Sequence, residues 1–155
     1  MLVDLLLAAI HHLLVFGLIA MLVTESVLLR GHADDGAIDS RTAGRLARLD
    51  GGYGACAVLL LGVGVLRLIY GIKGYDFYLH NPWFHAKIGL YVLTGLLSAL
   101  PTLNFMRWRR ALRSDPAFVP AVADVARARL IVRLELVAIA LIFVLAAAMA
   151  RYGGF

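Results

Sequence analysis

Two adjacent histidines, His11 and His12, interrupt a run of leucine, valine and alanine that carries no charged residue between Asp4 and Glu25. An imidazole there can exchange a proton or hold a metal, and an ionisable group inside an apolar span is a candidate functional site by default. Arg67, His85 and Lys87 fall in or beside other apolar runs, as do Glu25, Asp50, Arg133 and Glu135. Neutral imidazoles on facing helices are a standard way to hold haem iron. Cationic side chains near the polar edge suit haem propionates or substrate carboxylates, through charge-assisted hydrogen bonds.

The elements that must position these residues are long and apolar. Hydrophobic residues make up 62% of the 155 residues, and the mean hydropathy is +0.85. Apolar stretches cover 3–29, 45–71, 83–108 and 127–151. Each reaches the roughly 20 residues that a helix needs to cross a hydrocarbon core of about 30 Å. They lack the alternation of barrel strands, so the expected fold is all-α: a transmembrane four-helix bundle forming one domain over 1–155. The first stretch has no basic leading region and no A-x-A cleavage site, and reads as a retained helix rather than a secretion signal.

Charge sets the expected orientation. Arg30, Arg41, Arg45, Arg48, Arg107, Arg109, Arg110, Arg113, Arg127, Arg129 and Arg133 flank the first and third connections, against Arg67, Lys73, Lys87 and Arg151 at the other end. The positive-inside rule then puts both termini and the second loop on the periplasmic side of a bacterial inner membrane. It also accounts for the net charge of +5 and the pI near 9.8 without a nucleic-acid partner. Arg107, Arg109 and Arg110 read as a topology anchor, and the basic side is open to acidic lipid heads. Polar connections are expected at 31–44, with a helix start near Ser40 or Thr42, and at 72–82 and 114–120. Tyr75, Phe77, Tyr78 and Trp83 suggest an aromatic interface belt. Asn81-Pro82 marks a helix start, and Pro101 predicts a kink.

Helical rise sorts the ionisable residues into two layers. His11 lies about 12 Å from the outer end of its helix, Arg67 about 6 Å, and His85 and Lys87 about 5–8 Å. His11, His12, Arg67, His85 and Lys87 therefore share the outer half; Glu25, Asp50, Arg133 and Glu135 share the inner half. Adjacent helical positions point about 100° apart, so only one of the two neighbouring histidines faces the bundle. His11 shares a face with Leu18 and Glu25 and is preferred, with His12 the runner-up. Gly89, one turn past His85, leaves room for a flat macrocycle.

Three uses of the histidines stay open at this level: haem ligation by an inward pair, structural hydrogen bonds between helices, and another metal or proton relay. No CxxCH run permits covalent haem, and two histidines alone suit zinc poorly. The lone Cys56 reads as a packing residue. The inner residues Glu25, Asp50, Arg133 and Glu135 form either buried ion pairs or a proton path. Gly51, Gly52, Gly54, Gly62 and Gly64 allow close helix approach or a cofactor against the backbone, packing being the commoner use.

Several runs together resemble a family of small bacterial four-helix membrane proteins of unknown function. They are His11 with Phe16-Gly17, Glu25 and Arg30; Arg45-Leu46, Arg48-Leu49-Asp50 and Tyr53-Gly54; Gly71, Lys73-Gly74 and Phe77-Tyr78; Asn81-Pro82, Phe84, Lys87 and Gly89-Leu90; Gly95-Leu96-Leu97-Ser98; and Pro101-Thr102, Phe105 and Arg107-Trp108. That family is more distantly similar to the HemJ-type protoporphyrinogen oxidases, which carry a helix-one histidine and a His-Ala-Lys start to helix three, matched here by His11 and His85-Ala86-Lys87. The resemblance implies b-type haem held by His11 and, less directly, His85, with the basic helix-two motif falling at Arg45 or Arg48.

The resulting expectation is an integral membrane b-type haem protein, with haem in the outer half between helices one and three. It would act in electron transfer or in oxidation of a small membrane-soluble substrate, a porphyrinogen or quinol. His11 is the expected axial ligand and His85 the second ligand or an acid–base group. Lys87, the other expected catalytic residue, binds propionates or substrate carboxylates with Arg67. An open iron position goes with oxidase chemistry, two protein ligands with electron transfer alone. The rival is a cofactor-free scaffold, assembly or small-solute transport subunit with structural histidines. A homo-oligomer suits either.

Overall fold

The computed structural model describes residues 2–32, 37–71 and 75–152. It is all-helical, with α1 Leu2–Arg30, α2 Ser40–Tyr70, α3 Tyr75–Leu79, α4 Pro82–Ser114 and α5 Val122–Arg151. The four long helices are each long and apolar enough to cross a membrane. With 29 to 33 residues, they extend about 44–50 Å, past the hydrocarbon core at one or both ends.

The first connection is shorter than expected because a polar, capped turn extends α2. Asp39 caps α2, its carboxylate accepting from the Thr42 amide at 2.7 Å, so the helix begins five residues before the apolar stretch. Asn81 caps α4 by accepting from the Trp83 amide at 3.0 Å, with Pro82 in the first turn. At the other end of α4, buried Trp108 and Leu112 carry the helix beyond residue 108. Buried Val125 and Ala128 likewise start α5 before residue 127. The helix α4 runs unbroken through buried Pro101. Part of the outer connection, expected as loop, is the helix α3, where Phe77 stacks on Tyr78 and Tyr78 on Phe84. Lys73 and Gly74 lie outside the described residues.

The long helices form a ring in which α1 packs on α2, α2 on α4, α4 on α5 and α5 on α1. This puts α1 diagonally opposite α4, and the small α3 rests on α4 and α2. The core is concentrated at one end. Leu18, Leu22 and Leu29 of α1, Ala43, Leu46 and Tyr53 of α2, Phe105, Trp108 and Leu112 of α4 and Val125, Ala128 and Val132 of α5 are buried together. In the other half, no residue of α1 before Leu18, of α2 after Leu60, of α4 before Thr94 or of α5 after Glu135 is buried. Many large apolar side chains are exposed, among them Leu13, Phe16, Val58, Leu96 and Val144, as lipid contact requires.

Two glycines have a steric reason. A Cβ on Gly52 would stand 2.6 Å from the Met21 sulfur, so this residue lets α1 approach α2. At Gly71 a Cβ would collide with the Arg67 carbonyl oxygen, to which the Gly71 amide donates at 3.0 Å to close α2. The packing role expected at Gly51, Gly54, Gly62 and Gly64 is not realised, because a Cβ at each would meet nothing within 4 Å. Cys56 is half-buried against Gly17, as a packing residue would be.

Candidate functional site

The register of the helices fixes the levels of the polar groups. Gly17 faces Cys56, Tyr91 donates to the Ala57 carbonyl at 2.5 Å, and Thr102 donates to the Asp50 carboxylate at 2.9 Å. His11 lies six residues outward of Gly17 and Lys87 four residues outward of Tyr91. Both therefore occupy the open half of the bundle, as does Arg67 near the end of α2. Arg67 and Lys87 are close enough to act electrostatically on His11. The structure thus brings three of the expected outer residues together, from α1, α2 and α4.

The five histidines separate cleanly by their hydrogen bonds. His12 is exposed and bonds through Nδ1 to the Ala8 carbonyl one turn back, at 2.6 Å. His32 and His80 make the same bond to Leu28 and Asp76, at 2.9 and 3.0 Å. His85 is exposed, and its Nε2 donates to the Leu79 carbonyl at 2.8 Å, tying the start of α4 to the last residue of α3. His11 alone has no such bond: its ring is half-buried and its Nδ1 is buried without a partner. The Arg67 Nε is likewise buried and unpartnered, while Lys87 is half-buried with its ammonium 5.4 Å from the centre of the Phe84 ring.

The inner layer differs from a set of ion pairs. Glu25 and Glu135 are each 1% exposed and Asp50 6%, and the three carboxyls interact electrostatically. Arg133, expected among their partners, is exposed and forms no ion pair among the described residues. Val132 and Glu135 are buried three residues apart on one face of α5, which turns Arg133 toward the lipid side. Among the described residues the ion pair formed is Arg107–Asp124, at 2.5 Å, joining α4 to α5 near the Arg-rich end. Tyr53 and Thr102, named from sequence only as motif residues, and Tyr91, not named there, belong to these layers. Their signals were spacing, since Tyr53 follows Asp50 by three residues and Tyr91 follows Lys87 by four. No group of three or more His, Cys, Asp or Glu side chains among the described residues is arranged to hold a metal ion.

Residues 3–154 match the family described as Predicted membrane protein (DUF2214). The chain belongs to that family. No curated protein and no solved structure matches it. For this DUF2214 protein the membrane assignment thus has two supports, the family and the four spanning helices. The chemistry must be argued from the outer cluster.

Proposed function

We propose that this DUF2214 protein is an integral membrane b-type haem protein that oxidises a small membrane-soluble substrate, such as a porphyrinogen or quinol. The observation that carries the reading is His11: it is the histidine whose ring makes no backbone bond, and it faces a half of the bundle without a packed core. Its buried, unpartnered Nδ1 and the orphan Nε of Arg67 fit a ligand that supplies both a metal and anionic oxygens. His11 would hold the iron, and Arg67 and Lys87 the propionates, each by charge-assisted hydrogen bonds. A bound haem supplies a centre that gains and loses single electrons. A Cβ on Gly62, Gly64 or Gly89 would meet nothing within 4 Å.

Oxidation of a substrate is favoured over electron transfer alone because His85 is engaged elsewhere. With Nε2 on the Leu79 carbonyl and its ring exposed, His85 holds α3 against α4, and His11 is the protein ligand the reading uses. Lys87, which acts electrostatically on His11, would bind a substrate carboxylate or move a proton. The resemblance of His11 and His85-Ala86-Lys87 to the HemJ-type pattern supports the same reading. Eleven of the 15 Lys and Arg residues lie at the opposite end, which supports periplasmic termini in a bacterial inner membrane.

The test is a dithionite-reduced spectrum of protein purified from haem-supplied membranes. A Soret band is expected, lost in His11→Ala and kept in His12→Ala. A wild-type protein without the band would overturn the haem reading in favour of a cofactor-free membrane subunit. Turnover of protoporphyrinogen or quinol that is unchanged by His11→Ala would overturn the oxidase reading.

A further inference from the structure

Among the described residues, the inner half contains three buried carboxyl groups and no cation paired with them. Glu25 comes from α1, Asp50 from α2 and Glu135 from α5, while α4 contributes the Thr102 hydroxyl that donates to Asp50. Glu25 Oε1 and Glu135 Oε1 are buried without a hydrogen-bond partner. An independent side chain points to the same place. Tyr53 is 5% exposed and makes no hydrogen bond among the described residues, and it interacts electrostatically with Glu135, Glu25 and Asp50. Tyr91, which donates to Ala57, is the other titratable group facing Tyr53 from α4. The cations nearby do not serve: Arg45, Arg48 and Arg133 are exposed, and half-buried Arg129 forms no ion pair.

An unpaired carboxylate inside a membrane protein costs several kcal/mol and is relieved by a partner cation or by a proton. The described residues supply no such cation, and the three carboxyls are not gathered as a metal site. We propose that Glu25, Asp50 and Glu135 form a proton-binding site that exchanges with water at the Arg-rich end of the bundle. On loading, a carboxylate oxygen forms an O–H bond as hydronium gives up its proton, and no electron moves. Glu25 lies eight residues from Gly17 toward that end, and Glu135 is the last buried residue of α5 before the open half. The three therefore lie inside the packed core, with Glu135 at its boundary with the open half. Beside a redox centre at His11 such a store delivers the proton that accompanies electron transfer; that use rests on the function proposed above, whereas the site itself does not.

Infrared difference spectroscopy of the purified protein tests the site with or without haem. A protonated-carboxyl carbonyl band is expected that shifts in D2O, titrates with pH, and loses intensity in Glu135→Gln and Glu25→Gln. Glu135→Asp should retain a titrating band, and circular dichroism of each variant reports folding. Asp50→Asn provides a third removal if either Gln variant fails to fold. Absence of a band that these substitutions remove would overturn the proposal. So would a band that neither exchanges nor titrates, which marks static neutral carboxyls. A band that responds to sodium but not to pH would assign the site to a metal cation instead.

Discussion

A histidine in a membrane helix satisfies itself most readily by bonding to the carbonyl one turn back, and His12 does so through Ala8. That bond leaves Nε2 of His12 free, so it is the exposure of its ring, against the half-buried ring of His11, that keeps His12 the runner-up. The same reasoning reassigns His85. Sequence depth places it beside Lys87 in the outer layer, but its Nε2 reaches six residues back to Leu79, across a turn whose short helix has no strong sequence signal. His85→Ala is therefore expected to leave the Soret band of a haem-loaded sample unchanged and to speed amide exchange in α3 by releasing its last turn. Loss of the band in that variant would restore His85 as a ligand. The grouping of His11, Arg67 and Lys87 was legible from counting along helices. The isolation of Arg133 from the carboxylates was not, because counting gives depth and says nothing about direction around the axis.

At the scale of elements, apolar stretches located the spans and most of their ends, and missed the start of α2, the end of α4 and the start of α5. The membrane demands hydrophobic residues only within the hydrocarbon core, whereas the helices continue through amphipathic turns held by caps. Asp39 is the instructive case, one residue before the first of the two anticipated starts. Thr42, through its side chain first and its backbone second, holds the Asp39 carboxyl below its ordinary value. A carboxyl with a lower pKa in the folded state contributes stability that is complete above the unfolded value near 4 and fades as pH falls through the folded value. Asp39→Ala should weaken the first turn of α2 by about 1 kcal/mol at neutral pH. Amide exchange at residues 42–43 should then lose its dependence on acidification. Unaltered exchange in the variant would show that packing of Ala43 and Leu46, not the cap, holds that turn.

Across the whole molecule, the two halves of the bundle are built on different terms. One half is closed by Trp108, Phe105, Leu22 and Leu46, all fully buried, and it encloses the carboxyls. The other has half-buried walls and side chains such as Leu13 that are 70% exposed. Composition cannot reveal this asymmetry, because in a membrane the lipid-facing and core-facing residues are equally apolar. Stability should therefore reside in the packed half, leaving the open half free to be shaped by what it binds. Phe105→Ala is expected to destabilise the bundle by about 3–5 kcal/mol. Leu13→Ala, on the lipid face of the open half, should stay within about 0.5 kcal/mol. Denaturant titration of helical content checks both. Equal losses would mean that the two halves fold as one evenly packed core.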